Sequence, residues 1–200
     1  MRFLPARALG PDGMTTFTQF RNTANHKDGY SFQSVATRAK SKGTVRLASS
    51  NTHIKPVIDG KYLSDGDDLR TLREGIKLGR KFGAKFGDYV GQEVYPGADV
   101  KTDEEIDEYI RNSVHTANAL TGTCKMGEGD NAVVGSDLKV KGVTGVRVAD
   151  SSIFPSIPGG QTGTPTVMVA VRAAEMIMNC ENGALVNEEM KGRGKQLVTV

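Results

Sequence analysis

Between Val146 and Glu181 the sequence passes from a short β-branched stretch through a glycine-rich loop into a long apolar segment. That order constrains the fold more than any other feature of the chain. Val143 to Asp150 reads as a strand, with Val146-Arg-Val-Ala149 at its centre and Asp150-Ser-Ser152 at its C-terminal end. Pro155-Ser-Ile-Pro158 turns the chain into Gly159-Gly-Gln-Thr-Gly163. Thr164 then reads as the N-cap of a buried helix running to about Glu181, with Pro165 as its first residue. Proline costs nothing there, because that amide lacks an intrahelical acceptor in any case. The remaining free amides and the helix dipole favour negative charge, and the glycines let a planar or anionic ligand lie against the backbone. A cofactor edge or a phosphate fits such a helix start. The alternative is a glycine-rich turn that only joins strand to helix.

Upstream, residues 1–30 read as irregular, with turn signals at Pro5, Pro11-Asp-Gly13 and Asp28-Gly29. Ser31 to Arg38 reads as a strand, and Lys40-Ser-Lys-Gly43 turns it into a second strand, Thr44 to Ala48, which suggests a hairpin. A third short strand near Ile54 to Ile58 is weakened by Pro56. Leu69, Leu72, Ile76, Leu78, Phe82 and Phe86 predict one face of a helix from Asp67 to Phe86. Gly75, Gly79 and Gly83 each cost that helix about 1 kcal/mol relative to alanine. Their four-residue spacing makes room for another backbone. Thr102-Asp-Glu-Glu105 is a capping box opening a helix to about Asn118, with Ile106, Tyr109, Ile110 and Val114 inward. A sheet with separate helices is an α+β arrangement. The expected organisation is one domain over residues 1–185 and a polar, frayed tail over 186–200.

Composition excludes several function classes. A hydrophobic fraction of 38% and a charged fraction of 24% suit an ordinary globular chain. No apolar run reaches the roughly 20 residues of a membrane-spanning helix. Pro5 and Arg7 interrupt any apolar core of a signal peptide. The net charge of +3 is mild, and the cluster Arg38, Lys40, Lys42, Arg46 reads as a solvated face without the interleaved aromatics that stack bases. Nucleic acid is therefore not an expected partner. Cys124 and Cys180 have no histidine or cysteine at ligand spacing, so no metal site is expected; two such cysteines fit a reducing compartment.

His115-Thr-Ala-Asn118 precedes Gly122-Thr-Cys-Lys-Met-Gly127. On a continuing helix, His115 and Asn118 share a face. A histidine beside an asparagine at a helix end suits proton transfer or hydrogen bonding to a ligand, with a structural role as the alternative. His26 and His53 lack such a context and read as structural or solvent-exposed.

These motifs, with Ala132-Val-Val134, Leu138-Lys-Val140, Gly142 to Asp150 and Gly160-Gln followed by Pro165-Thr-Val-Met-Val-Ala170, resemble the C-terminal block of glucose–methanol–choline (GMC) oxidoreductases in order and spacing. Tyr62-Leu63 and Asp68-Leu-Arg-Thr-Leu-Arg73 follow the same family more loosely. The resemblance implies a substrate-side portion that completes an FAD active site on a small-molecule donor such as CH–OH. It implies that Asp150, with Ser151, helps bind FAD, and that Gly160, Gln161, Thr162, Thr164 and Pro165 lie near the flavin's pyrimidine edge. His115, Asn118 and Gln161 are its implied catalytic residues. Alcohol-oxidising members carry a base histidine where this chain has Ala119, and a histidine or asparagine where it has Gln161.

His115 to Gly127 with Ile157 to Gly163, and the opening Arg2-Phe-Leu-Pro with Pro11-Asp-Gly13, look most like the algal fatty acid photodecarboxylase branch. That branch implies a fatty-acid substrate, loss of CO2 under blue light, and a plastid. Thr37 stands where that branch has a cysteine, and Lys55 is the nearest cation to a further expected arginine. A complete member carries Gly-x-Gly-x-x-Gly after a strand to cradle the FAD pyrophosphate. Gly127-Glu-Gly129 lacks the third glycine and the strand–helix setting. The chain alone is thus expected to bind FAD poorly, with a separate N-terminal portion holding most of it; a non-catalytic remnant is the third reading.

Overall fold

A computed structural model describes residues 2–6, 29–89 and 91–195. The chain divides into two compact units, Met1–Ala117 and Asn118–Val200.

In the first unit, strand β1 (Arg2–Ala6) pairs antiparallel with β2 (Gly29–Gln33), and β3 (Thr44–Arg46) with β4 (Val57–Asp59). β1 lies where only irregular chain was expected, whereas the turn signals at Pro11 to Gly13 and at Asp28 fall outside the described residues. The expected hairpin is also corrected, since β2 ends at Gln33 and its partner is β1. The chain leaves the strand because Asp68 fastens the next segment to a helix. Its Oδ1 accepts from the Lys40 amide at 2.9 Å and its Oδ2 from the Ser41 amide at 2.8 Å. β3 instead meets β4, placing the short third strand at Val57–Asp59, one residue past Pro56.

Helix α1 (Gly66–Gly83) follows, with Asp65 as N-cap accepting from the Asp67 amide and Asp67 and Asp68 in its first turn. A 3-10 stretch, Ala84–Tyr89, continues it. Leu69, Leu72 and Ile76 pack against Ile106 and Ile110 of helix α2 (Asp103–Ser113). Leu78, Phe82 and Phe86, expected on the same face, are 40–49% exposed, and Phe82 and Phe86 lie beside Phe32, with ring centroids 6.5 and 6.3 Å apart. At Gly75 the close neighbour is a side chain and not the expected backbone, for a Cβ there would run into Ser34 Oγ. Arg73 crosses to α2, 3.0 Å from Asp107 and 3.6 Å from Asp103.

The capping box is formed as expected, with Thr102 Oγ1 accepting from the Glu105 amide and the Glu105 carboxylate from the Thr102 amide. The helix stops earlier than expected, at Ser113. Ser113 Oγ donates back to the Tyr109 carbonyl at 2.6 Å, and Val114 turns extended at ψ 136°. Neither His115 nor Asn118 is therefore helical, and the shared helix face is not formed.

The second unit is built around Val134, Leu138, Ile153 and Ala173. Its backbone is closed mostly by single bridges, Met126 with Val134, Val134 with Val140, and Lys139 with Arg147. The strand expected from Val143 to Asp150 is reduced to that last bridge. Gly142 and Gly145 sit at φ 75° and 81°, left-handed conformations that interrupt extended chain on either side of Val143 and Thr144. Helix α3 (Gly163–Lys195) begins one residue before the expected cap and runs to Lys195, into the segment read as a frayed tail, whose residues 196–200 lie outside the described ones. Residues Val169, Ala173 and Met176 meet the core. Val167, Met168, Val171 and Met178 are 55–68% exposed, so between Val167 and Met178 the helix is buried along one side only.

Candidate functional site

The second unit brings most of the sequence-predicted residues onto elements that support one another. Asp150 caps the 3-10 turn Ser151–Ile153, its Oδ1 accepting from the Ser152 amide at 2.8 Å. Hydrogen bonds from the Ser152 side chain and amide hold its carboxyl below the ordinary carboxylate range, so it is an anion at neutral pH. Ser151 Oγ donates to the Leu120 carbonyl at 3.1 Å. The Cys124 amide donates to Ser152 O at 3.0 Å and the Met126 amide to Ile153 O at 2.7 Å. The Gly-Thr-Cys segment is thereby laced along the Asp150 turn. Gly122 takes φ 88°, and a Cβ there would meet Phe154 O at 3.4 Å, which ties the same two segments.

Beyond the core residue Ile153, the loop reaches the start of α3. Gly160 has φ 119° and nothing within 4 Å of where a Cβ would stand. Gly159, Gly160, Gln161, Gly163 and Thr164 are exposed; Thr162 and Pro165 are half-buried. Thr162 O accepts both the Thr166 amide at 3.0 Å and Thr166 Oγ1 at 2.7 Å, which makes Thr162 the capping residue in place of Thr164. Pro165 then falls at the third helical position, still within the turn whose amides have no intrahelical partner. The amides of Gly163 and Thr164 lack an i−4 carbonyl within the helix. No acidic residue lies in this first turn, whereas α1 and α2 each carry acids in theirs. The exposed backbone, free amides and uncompensated dipole favour a planar or anionic ligand. Gln161 adds an exposed carboxamide, able to donate and accept but not to act as a base.

His115 and Asn118 are separated by the unit boundary. His115 is exposed, its Nδ1 3.2 Å from Thr116 O. Asn118 is exposed at φ 57°, a left-handed conformation that asparagine tolerates. Sequence reasoning named Thr162 and Gly122 but not these structural roles. Thr162 as cap was masked by the Thr-Pro signal two residues on, and Gly122 has no periodic signature. Among the described residues no group of three or more His, Cys, Asp or Glu could hold a metal ion. Among them also, no helix is long and apolar enough to cross a membrane.

Residues 39–170 match the family model described as GMC oxidoreductase. The chain is 45% identical over 186 residues to a chloroplastic fatty acid photodecarboxylase of Chlamydomonas reinhardtii, covering 88% of this chain and 30% of the relative. It is 38% identical over 183 residues to an oxygen-dependent choline dehydrogenase of Vibrio vulnificus, covering 88% and 31%. An FAD-dependent oxidoreductase from Chaetomium thermophilum superposes with a TM-score of 0.68 at 32% identity, covering 73% of this chain and 26% of that one. The chain spans about 30% of the length of the curated relatives it matches. Match and fold together lead to one conclusion: the chain belongs to the GMC oxidoreductase family.

Proposed function

We propose that this chain is the substrate-side portion of an FAD-dependent GMC enzyme acting on a small-molecule donor, and that the α3 start borders the flavin's pyrimidine edge. The observation that carries the reading is the open helix mouth, where Gly160 admits a close neighbour and Gly163 and Thr164 present free amides. When bound, the FAD ring supplies the electron acceptor, for the hydride of a CH–OH donor or, under light, for the electron of a carboxylate. The α3 amides and dipole favour negative charge beside them. Gln161 orients a ligand through its carboxamide, and Asn118 does likewise. His115 offers the Nε2 of its exposed imidazole to a ligand. Asp150 and Ser151 hold the turn that faces the cofactor. The dinucleotide half of FAD belongs, in this reading, to polypeptide outside this chain.

A light-driven fatty acid decarboxylation is the second reading, supported by 45% identity to the photodecarboxylase over 88% of this chain, where choline dehydrogenases reach 44% over 76% of it. A chimera tests both. The chain replaces the 186-residue region it matches in the Chlamydomonas relative. Visible flavin absorbance in the purified chimera is expected, and Gln161→Ala is expected to perturb it. Hydrocarbon from a fatty acid under blue light but not in darkness supports the second reading; dark oxidation of choline supports the first. A folded chimera without flavin overturns both.

A further inference from the structure

Asn118 to Gly122 lie in neither helix nor strand, yet they carry one of the carboxamides offered to a ligand. Their placement depends on the turn beside them. The Ile153 carbonyl accepts the Met126 amide at 2.7 Å and the Ser152 carbonyl accepts the Cys124 amide at 3.0 Å, so backbone rungs join the two segments. The row does not continue in the same way, because the Ser151 carbonyl is drawn into the 3-10 turn and accepts the Phe154 amide at 3.3 Å. The Ser151 side chain supplies the next rung instead, its Oγ donating to the Leu120 carbonyl at 3.1 Å. Ser151 is half-buried, whereas Leu120 is 65% exposed, so packing of the Leu120 side chain does little to hold this stretch. Asn118 stands two residues from that carbonyl, within about 7 Å of chain. Its left-handed conformation, at φ 57°, persists only where the surrounding chain is held.

We propose that Ser151 is a positioning residue: its hydroxyl, through the Leu120 carbonyl, sets the Asn118 carboxamide for the ligand. The inference rests on the proposed function above, and adds to it the bond that carries the order of the Asp150 turn to the ligand side. A serine hydroxyl has one proton to donate, and here that proton is committed to the Leu120 carbonyl. Ser151→Ala removes this rung and leaves both backbone rungs in place, whereas Ser151→Thr keeps a hydroxyl.

The chimera with the Chlamydomonas relative is compared with its Ser151→Ala and Ser151→Thr variants, each made with and without Asn118→Gly, a substitution that suits a positive φ. Binding of choline and of palmitate is titrated through the fluorescence of the bound flavin. Ser151→Ala is expected to weaken binding by about fivefold, the net worth of one neutral hydrogen bond, with flavin content unchanged and Ser151→Thr close to the parent. Beside Asn118→Gly the same substitution is expected to change binding by less than about twofold, because a merely structural loss would be equal in both backgrounds. Equal losses in both, no loss in either, or a threonine variant as weak as the alanine one overturns the proposal and leaves the flavin reading intact. Flavin lost from Ser151→Ala assigns the hydroxyl to the cofactor directly, which also overturns it. So does a parent chimera that holds flavin but binds neither probe, since Asn118 then orients nothing. A folded parent without flavin refutes the proposed function itself, and the positioning role falls with it.

Discussion

Replacing Asp68 tests how the first unit joins its strands to its helices. The side chain is 6% exposed, and its two oxygens accept from consecutive amides, those of Lys40 and Ser41. Ser41 Oγ accepts from the Asp65 amide at 3.0 Å, and Lys40 pairs with Asp67, so the segment is tied to the α1 start at several points. Hydrogen bonds to an ionised group contribute about 1.5–3 kcal/mol each, and part of that is regained when water reaches the freed amides. Asp68→Ala should therefore cost about 3 kcal/mol, and Asp68→Asn about half as much, because one carbonyl acceptor survives. Urea unfolding followed on the first unit reads both. Burial pushes the Asp68 carboxyl upward, but the Ser41 hydroxyl and the Lys40 and Ser41 amides outweigh it and hold the group below its ordinary range. A carboxyl depressed in the folded state contributes stability above its unfolded pKa of about 3.9, and that contribution is lost as pH falls through the folded value. The difference between the parent and Asp68→Ala should shrink below about pH 4. A loss under about 0.5 kcal/mol, or a difference independent of pH down to about 2, would refute the clamp.

Other substitutions probe the remaining contacts. Gly75→Ala gains about 1 kcal/mol of helix propensity, but its Cβ would stand 2.8 Å from Ser34 Cβ. Net destabilisation is expected, and Ser34→Gly in the same chain should restore it, read as a double-mutant cycle in urea. Arg73→Met removes the cation beside Asp107, while Asp103 keeps Lys77 at 2.7 Å; a loss of about 1–2 kcal/mol is expected in the same assay. Gly160→Val forces a β-branched residue to φ 119°, at about 1–3 kcal/mol, and in the chimera it should also lower flavin content. Thr102→Ala loses the side-chain acceptor for the Glu105 amide and should lower the midpoint by the equivalent of about 1 kcal/mol.

Local chemistry made parts of this fold legible. The capping box at Thr102 and the glycine–proline entry to α3 were readable because each rests on neighbours a few residues apart. The same holds for the residues of the candidate site, since the family resemblance is a matter of ordered short motifs. Leu78, Phe82 and Phe86 show where periodicity stops informing: the pattern marks an apolar face, but only packing decides whether α2, Phe32 or solvent meets it.

Sequence alone determined the family, the helix identities and the residues offered at the α3 mouth, because these depend on order and spacing along the chain. Tertiary structure decided which strands pair. β2 finds β1 and β3 finds β4 because the Asp68 carboxylate, 27 residues from Ser41, holds the intervening segment where no hairpin can form. Tertiary structure likewise decided which of the apolar residues from Val167 to Met178 in α3 meet the core. Long-range hydrogen bonds and burial act between residues whose proximity exists only after folding, and no local pattern encodes them.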